Sequence, residues 1–407
     1  MTRASPHHAP LGFAGFVAII AALMGLNAVA IDIMLPGLPE IAAAFTPDDV
    51  NRAQLVFSAY LAGFGLAQLA MGVLADRYGR KPVLIGGIAV YAAAGFACAF
   101  APSLEVLLIA RFVQGLGSAA PRVVATASVR DCYEGRDMAQ VMSLSMVVFM
   151  AVPVIAPTLG QLILFVAPWP AVFVFLGLYA LFMLWICATR LPETLRPEHR
   201  RPIRWASFAA ALRSVFGARQ TVGYMLAAGM FFGSLFGFIN SAQQVLEEVL
   251  ELGPWFVAVF ALIAVAIAVS SLVNAQLVQR FGMRLLSHGA VCLCALFSAI
   301  LLIGPEGLGV VGFLAVLSGV MLMIGLIFAN FNALAMEPQG AVAGIAASVI
   351  GSVTALMGAG IGFTIGAAFD GTARPLALGF LVSAVVTIAI LAVTERGRLF
   401  RSSPAAA

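Results

Sequence analysis

A single carboxylate lies inside the first long apolar stretch of this chain. Asp32 stands near the end of that stretch, and it is the only acid that we place inside an apolar stretch, since Glu105, the second residue of the stretch at 104–127, is assigned to the loop before it. An ionisable side chain in hydrocarbon is costly and by default marks an ion pathway or a proton relay. Desolvation favours the neutral carboxyl group, whereas a nearby cation favours the carboxylate. Asp32 is therefore a candidate for loading a proton in one conformation and releasing it in another.

Arg111 is the candidate partner of Asp32. It lies a similar distance from the end of another apolar stretch, which runs in the opposite direction, so that both side chains reach a comparable depth. An ion pair between the two is geometrically possible, and we predict that Asp32 and Arg111 carry the proton coupling. The alternatives are a static pair, or an Asp32 that only caps the turn at Pro36.

A polar stripe extends from Arg111 along its own helix. At about 100° per residue, Arg111, Gln114, Ser118 and Arg122 fall within an arc of roughly 80°. A polar stripe on a membrane helix must face protein or water, so it is expected to line a central cavity. The second arginine favours an anionic or strongly dipolar substrate if it faces that cavity. Alternatively, Arg122 snorkels to the interface.

The composition of the chain identifies the elements that carry these side chains. The sequence is 62% hydrophobic with a mean hydropathy of +1.05, and only 10% of its residues are charged, against about 25% in soluble domains. A helical membrane span needs roughly 20 apolar residues. Twelve such stretches are present, at 12–35, 53–75, 83–101, 104–127, 138–165, 169–189, 219–243, 254–278, 285–303, 308–333, 343–368 and 375–394. We predict an all-α integral membrane protein with twelve transmembrane helices.

A charged run between the second and third stretches recurs in the second half of the chain. The run at 72–82 resembles the segment at 275–284, with Gly79 matching Gly282 at an offset of 203 residues in a chain of 407. Internal repeats of this size are typical of transporters. We predict two pseudo-symmetric six-helix bundles at 1–195 and 219–407, joined by a linker at 196–218. Residues 203–216 of the linker could form an interfacial helix, or the linker is a solvated tether.

The distribution of basic residues orients the chain. Of its 22 lysines and arginines, eighteen fall in one set of loops and tails, two fall in the opposite set, and Arg111 and Arg122 lie inside a span. Basic loops face the cytoplasm, which places both termini there. The basic pI then reflects topology and contact with anionic lipids, and no nucleic-acid partner is expected.

Other side chains of the apolar stretches complete the predicted cavity. Methionine adapts to mixed substrates, and aromatic and amide groups bind them. The further candidates are Met24, Asn27, Met142, Met146, Met150, Phe231, Phe232, Phe236 and Asn240. Pro153 and Pro157 are expected to kink their helix, and Gly160, Gly115 and Gly117 to allow neighbouring helices to approach closely.

Several classes of site are absent from the sequence pattern. There is no nucleotide-binding loop, no metal-spaced His/Cys cluster and no nucleophile–base set, so an enzyme is not expected. Five scattered cysteines argue against a disulfide framework. We expect no cofactor, a proton gradient as the energy source, a monomer, and a small molecule, protons and membrane lipids as the binding partners.

Several segments of the chain resemble those of a known family. Two six-span halves, a long central loop and the 72–82 run resemble the major facilitator superfamily. Four further stretches resemble the drug/proton antiporters of the bicyclomycin/chloramphenicol-resistance type: 32–39, 111–117, 129–131 and 153–160. In the last of these, Ala156-Pro157 stands where that family usually has Gly-Pro.

The resemblance implies a gate at the charged run. Gly72, Asp76, Arg77, Gly79, Arg80, Lys81 and Arg130 would form a latch on the cytoplasmic side. Asp76 would pair with Arg130 and face the start of span eleven near 341–344, with Gly72 and Gly79 permitting tight turns. In the second copy Gln279 replaces the acid, which predicts a weaker latch. The alternative is that these charges only set the topology.

The resemblance also implies a function. It predicts a proton-driven exporter of small amphipathic compounds, such as amphenicol-like antibiotics, in a bacterial inner membrane, working by alternating access. Two alternatives stay open at this point. One is a proton-coupled exporter of a metabolite, such as a sugar, an amino-acid derivative or a siderophore. The other is a non-transporting membrane receptor built on the same scaffold.

Overall fold

A computed structural model describes residues 12–200 and 205–400 of the chain, and within these ranges the regular structure is helical throughout. The α-helices are α1 (Phe13–Asp32), α2 (Leu38–Phe45), α3 (Leu55–Tyr78), α4 (Arg80–Ala99), α5 (Leu104–Cys132), α6 (Gly135–Val166), α7 (Pro170–Arg190), α8 (Trp205–Gly217), α9 (Arg219–Gln243), α10 (Phe256–Phe281), α11 (Met283–Leu301), α12 (Gly304–Met336), α13 (Ala343–Ala367) and α14 (Arg374–Thr394).

The helices establish a multi-pass membrane protein. Eleven helical segments in the described ranges are long and apolar enough to cross a bilayer. The predicted fifth span falls on α6, which is not among these eleven segments; its part Ile155–Val166 is apolar but shorter. Helix α9 coincides with the predicted span at 219–243, and the other long helices differ from their predicted spans by a few residues. The count of twelve spans and the orientation of the termini stay predictions.

The chain groups into two compact units of helices. One unit takes the described residues of Met1–Thr46 and Ala59–Trp205, and the other takes those of Pro47–Ser58 and Ala206–Ala407. The predicted N-terminal bundle includes 47–58, whereas the structure groups this segment with the second unit. Its hydrogen bonds give the reason: the Asn51 side chain donates to the Phe369 carbonyl at 3.0 Å, and the Gln54 amide donates to Gln244 at 2.8 Å.

The turn in the charged run is shorter than the sequence predicts. Helix α3 continues through Gly72 and Asp76 to Tyr78, so Gly72 does not form a turn. The break comes at Gly79 alone, whose φ of 107° is accessible to glycine and strained for other residues. Gly282, its counterpart in the repeat, has a φ of 77° and likewise separates two helices. The repeat therefore places the same glycine-dependent break in both halves of the chain.

The linker contains a docked helix. Helix α8 covers most of the predicted segment, although residues 203 and 204 lie outside the described ranges. Ala211 and Val215 are buried, and the Ser214 hydroxyl donates to the Gln339 side chain at 3.1 Å. Because α8 packs on the second unit, the linker is more than a solvated tether.

Glycines allow the helices of the first unit to approach closely. A Cβ atom at Gly115 of α5 would overlap the Tyr60 carbonyl of α3, and one at Gly63 of α3 would overlap the Phe112 carbonyl of α5. Gly160 of α6 meets the Ile33 carbonyl in the same way. Helices α3 and α5 therefore touch backbone to backbone at Gly115, and α6 touches the backbone just after α1 at Gly160; the sequence predicts close packing at both glycines.

Candidate functional site

Asp32 is the last residue of α1 and is almost completely buried, with 4% of its surface exposed. The helix ends there because a 3₁₀ turn follows, in which Pro36 cannot donate a helical hydrogen bond. Among the described residues, no hydrogen bond or ion pair involves the Asp32 carboxylate. A charged carboxylate in such a place is costly. Asp32 is thus a buried carboxyl group at the end of a membrane-spanning helix.

Arg111 is fully buried in α5, and the groups that hold it include two hydrogen-bond acceptors and two aromatic rings. Its guanidinium donates to the Gln114 side-chain oxygen at 2.8 Å and to the Ala30 carbonyl at 3.2 Å. The guanidinium carbon lies 4.5 Å from the ring centroid of Tyr60 and 5.6 Å from that of Phe173. The ion pair with Asp32 that the sequence allows is not formed in this conformation. Arg111 instead contacts α1 two residues before Asp32.

The polar stripe of α5 faces α1 and α3. Gln114 and Ser118 are fully buried. The Asn27 side-chain NH₂ donates to the Tyr60 hydroxyl at 3.2 Å and to the Ser118 hydroxyl at 3.4 Å, and Ser118 donates to the Gly115 carbonyl at 2.8 Å. The stripe therefore packs inside the first unit, as expected for polar groups that cannot face lipid. It brings Asn27, Gln114 and Ser118 into one cluster with Arg111.

The sequence reasoning missed Tyr60. It lies in a predicted span, and it is one of only six tyrosines in the chain. Its ring and its hydroxyl contact Arg111 and Asn27, which are 51 and 33 positions away along the chain. A buried tyrosine usually finds a hydrogen-bond partner, so its position in a span was a signal that could have been used.

Arg122 and the remaining cavity candidates have different environments. Arg122 is half-buried, ten residues before the end of α5. Met24, Phe231, Phe236 and Asn240 are buried, whereas Met142 and Phe232 are half-buried. The ring of Phe232 stacks on Phe328 with centroids 5.4 Å apart. Pro157 is buried in α6, and the side chains of Met146, Met150 and Pro153 lie outside the described part of the chain.

The charged run forms a network centred on Arg80. The guanidinium of Arg80 pairs with Asp76 at 2.6 Å and with Asp131, near the end of α5, at 2.9 Å. Asp76 thus pairs with Arg80 in this structure, and the described ion pairs include none between Asp76 and Arg130. The prediction missed that Arg80 follows Asp76 by only four residues, across the short break at Gly79.

Glu193 is a second contact that the sequence reasoning missed. Its carboxylate accepts hydrogen bonds from the backbone NH groups of Arg80 at 2.8 Å and Lys81 at 3.3 Å. These NH groups belong to the first turn of α4, where they have no helical partner. Lys81 also donates through its side chain to the Ala188 carbonyl at 2.8 Å. The segment after α7 therefore holds the start of α4 in place.

The second copy of the run has a comparable network. Arg284 pairs with Glu395 at 3.1 Å and with Glu337 at 3.3 Å, and the Tyr224 hydroxyl donates to Glu395 at 2.7 Å. Burial alone would raise the pKa of Glu395, but the hydrogen bonds from Tyr224 and Arg284 bring that pKa below its ordinary value. Although Gln279 replaces the acid of the first copy, two acids from other segments hold the basic residue here.

The comparison with protein families assigns the chain to a family. The profile described as Major Facilitator Superfamily matches residues 17–363. The chain belongs to the major facilitator superfamily. It is accordingly a member of a family of membrane transporters rather than enzymes.

Similar proteins indicate which members of the superfamily the chain resembles. The chain is 30% identical to the uncharacterized MFS-type transporter YdgK of Bacillus subtilis, over 95% of this chain and 96% of that protein. It is 30% identical to the bicyclomycin resistance protein homolog of Haemophilus influenzae (93% and 94%) and 28% identical to the multidrug resistance protein MdtL of Klebsiella pneumoniae (93% and 95%). The predicted resemblance to drug-efflux members of the superfamily is confirmed.

A solved structure has the same fold. The crystal structure of the human organic anion transporter MFSD10 (TETRAN) superposes with a TM-score of 0.65 and covers 94% of this chain and 100% of that one. The sequence identity is 19%, so this likeness concerns the fold alone.

Proposed function

We propose that the chain is a proton-coupled antiporter that exports small amphipathic compounds, including amphenicol-like antibiotics, across a bacterial inner membrane by alternating access. The single observation that carries the proposal is the buried Asp32 at the end of α1, with the Arg111 guanidinium bound to the carbonyl two residues away. The relatives named for bicyclomycin and multidrug resistance support the substrate class. The carrier acts as a monomer in the lipid bilayer and uses the proton gradient without a cofactor.

The proposed proton step uses the two partners of Arg111 on α1. In this conformation Arg111 donates to the Ala30 carbonyl, and a protonated Asp32 needs no cation beside it. In the opposite conformation the guanidinium moves to the Asp32 carboxylate, and the ion pair replaces the proton that leaves. Each state satisfies both groups, so the cycle alternates between proton and arginine at Asp32.

The proposed substrate contacts combine apolar and polar groups. A cavity lined mainly by apolar side chains with a few amides and hydroxyls suits a drug-sized neutral or zwitterionic compound. Asn27 is half-buried and is the polar side chain of the α1, α3 and α5 cluster best placed for such a compound. Arg122 adds a positive charge on the same stripe, which favours substrates that carry a strong dipole.

The test is proton flux in inverted membrane vesicles. A preformed pH gradient is established, antibiotics including an amphenicol are added, and collapse of the gradient is followed by fluorescence. Wild type is compared with Asp32→Asn and with Asp48→Asn, which makes the same chemical change at an exposed aspartate. We expect one or more compounds to collapse the gradient in wild type and in Asp48→Asn, and none to do so in Asp32→Asn.

Other outcomes would contradict the proposal in different ways. An equal response of Asp32→Asn and wild type removes Asp32 from the mechanism. A response to sugars, amino-acid derivatives or siderophores, with silence across the antibiotics, identifies a metabolite exporter. Silence toward every compound, with correctly inserted protein, favours a receptor on the transporter scaffold.

A further inference from the structure

Tyr60 connects the half-buried amide of Asn27 to the buried arginine of the proposed proton site. Its side chain is fully buried in α3. The ring lies under the Arg111 guanidinium at 4.5 Å, and the hydroxyl accepts a hydrogen bond from Asn27 at 3.2 Å. Tyr60 therefore contacts both groups through one side chain.

Three independent contacts hold Tyr60 in place. Its backbone carbonyl lies against Gly115, where any side chain would overlap it. Its hydroxyl is held by Asn27 from α1, and its ring is covered by Arg111 from α5. These contacts come from two other helices and involve both the backbone and the side chain of Tyr60.

The contacts of Arg111 are of two kinds. The hydrogen bonds to Gln114 and Ala30 use particular N–H groups, whereas the ring faces of Tyr60 and Phe173 attract the whole cation. A movement of the guanidinium from the Ala30 carbonyl to a carboxylate breaks one hydrogen bond. The cation can keep its aromatic contact during such a movement, since an aromatic face has no single donor direction.

We propose that Tyr60 is the positioning residue of the proton-coupling step: its ring retains the Arg111 guanidinium while that group exchanges the Ala30 carbonyl for Asp32. The inference rests on the proposed function. It assigns Tyr60 no direct contact with the proton or with the substrate, and the Asn27 hydrogen bond is only one of the three contacts that hold the ring under the cation.

The first experiment separates coupling from binding. Proton-driven transport and drug counterflow, which exchanges substrate for substrate without net proton movement, are measured in the same vesicles. Tyr60→Leu is expected to lower proton-driven transport by about thirtyfold, the loss expected for one desolvated cation–π contact, and to leave counterflow within about twofold of wild type. Tyr60→Phe keeps the ring and is expected to restore most of the coupled rate.

A second experiment keeps the shape of the site constant. Phenylalanines with an increasing number of ring fluorines are incorporated at position 60, which progressively removes the negative ring face and leaves the ring size nearly unchanged. We expect the coupled rate to fall stepwise with fluorine number. Phe380 is the matched control position, because its ring is fully buried and has no cation contact among the described residues.

The outcomes distinguish this inference from the proposed function. Equal losses of counterflow and coupled transport in Tyr60→Leu, or no dependence on fluorine number at position 60, would overturn the positioning role. A coupled rate unchanged in Tyr60→Leu would overturn it as well. Asp32→Asn, measured in parallel, reports on the proposed function itself: if it keeps proton coupling, the proposed function fails, and if it loses coupling while the Tyr60 variants keep it, only the present inference fails.

Discussion

The backbone contact between α3 and α5 predicts a strong effect of one added methyl group. In Gly115→Ala the new Cβ would overlap the Tyr60 carbonyl oxygen and lie 2.9 Å from the Phe64 nitrogen, where ordinary contact begins at 3.4 Å. The Phe64 nitrogen alone must therefore move by 0.5 Å (3.4 minus 2.9), and the carbonyl must move further. Backbone atoms cannot relieve the overlap by changing a rotamer, so the two helices must separate.

The expected magnitude follows from two opposing terms. Overpacking of a well-packed core destabilises a protein by about 1–3 kcal/mol, and we take the upper value of about 3 kcal/mol because the atoms that must move here belong to the backbone. Alanine is more favourable than glycine within a helix by roughly 1 kcal/mol, which offsets part of this cost. The net destabilisation of Gly115→Ala is then about 2 kcal/mol. Gly86→Ala is the matched control, because Gly86 lies exposed in α4 with nothing within 4 Å of its Cβ position, and it should be stabilised by about 0.4–1 kcal/mol.

The assay is thermal unfolding of the purified protein in detergent, together with the coupled transport rate. Gly115→Ala should unfold several degrees below wild type and lose coupled transport, since separation of α3 from α5 moves the Tyr60 ring away from Arg111. Gly86→Ala should unfold at or above the wild-type temperature and transport normally. If the two variants have the same melting temperature and the same rate, the backbone contact described here does not exist in the protein.

Two further predictions concern the loops. Gly79→Ala and Gly282→Ala both place a Cβ in a backbone region that strains residues other than glycine by about 1–3 kcal/mol. Only at Gly79 does the new Cβ also overlap the Glu193 carboxylate, which caps α4, so Gly79→Ala should melt at the lower temperature. Equal melting temperatures of the two variants would contradict this contact. Glu395→Gln tests the network around Arg284. Burial disfavours the charged Glu395 carboxylate, but the hydrogen bonds from Tyr224 and Arg284 outweigh burial and lower the pKa of Glu395 in the folded protein. The stabilisation by Glu395 is therefore complete above its unfolded pKa of about 4.5 and is lost as the pH falls through the lower folded pKa. The difference in melting temperature between wild type and this variant should be largest at neutral pH and shrink below pH 4.5, and a difference that is constant across this range would count against the network.

Much of the architecture could be predicted because hydrocarbon imposes local rules. Each span must be helical and about 20 residues long, so apolar length alone locates the helices, as the agreement of α9 and α13 with the predicted 219–243 and 343–368 illustrates. The same rule identifies Asp32 as an acid that needs an explanation, and it directs the stripe from Arg111 to Ser118 toward protein. These conclusions need only the residue type and its distance from the ends of its stretch.

The partners within the site could not be predicted in this way. The sequence places Asp32 and Arg111 at comparable depth, but depth does not specify the rotation of each helix. The structure turns Arg111 toward Gln114 and the Ala30 carbonyl and places it on the ring of Tyr60. Rotation is set by where helices touch, and that depends on contacts such as the one at Gly115 between residues distant in the chain.

In the loops, the position of the charges could be predicted, whereas their partners could not. The repeat of the runs around Gly79 and Gly282, and their place at helix ends, can be read from the residues alone, because charges cannot remain in hydrocarbon and the spacing recurs. The pairing of acids and bases depends on the folded chain, which brings Asp76 and Asp131 to Arg80 and Glu193 to the backbone at the start of α4. A charge must leave the membrane wherever it occurs in the sequence, but it pairs with whichever opposite charge the packing of the helices brings within about 4 Å, and that distance is a property of the whole fold.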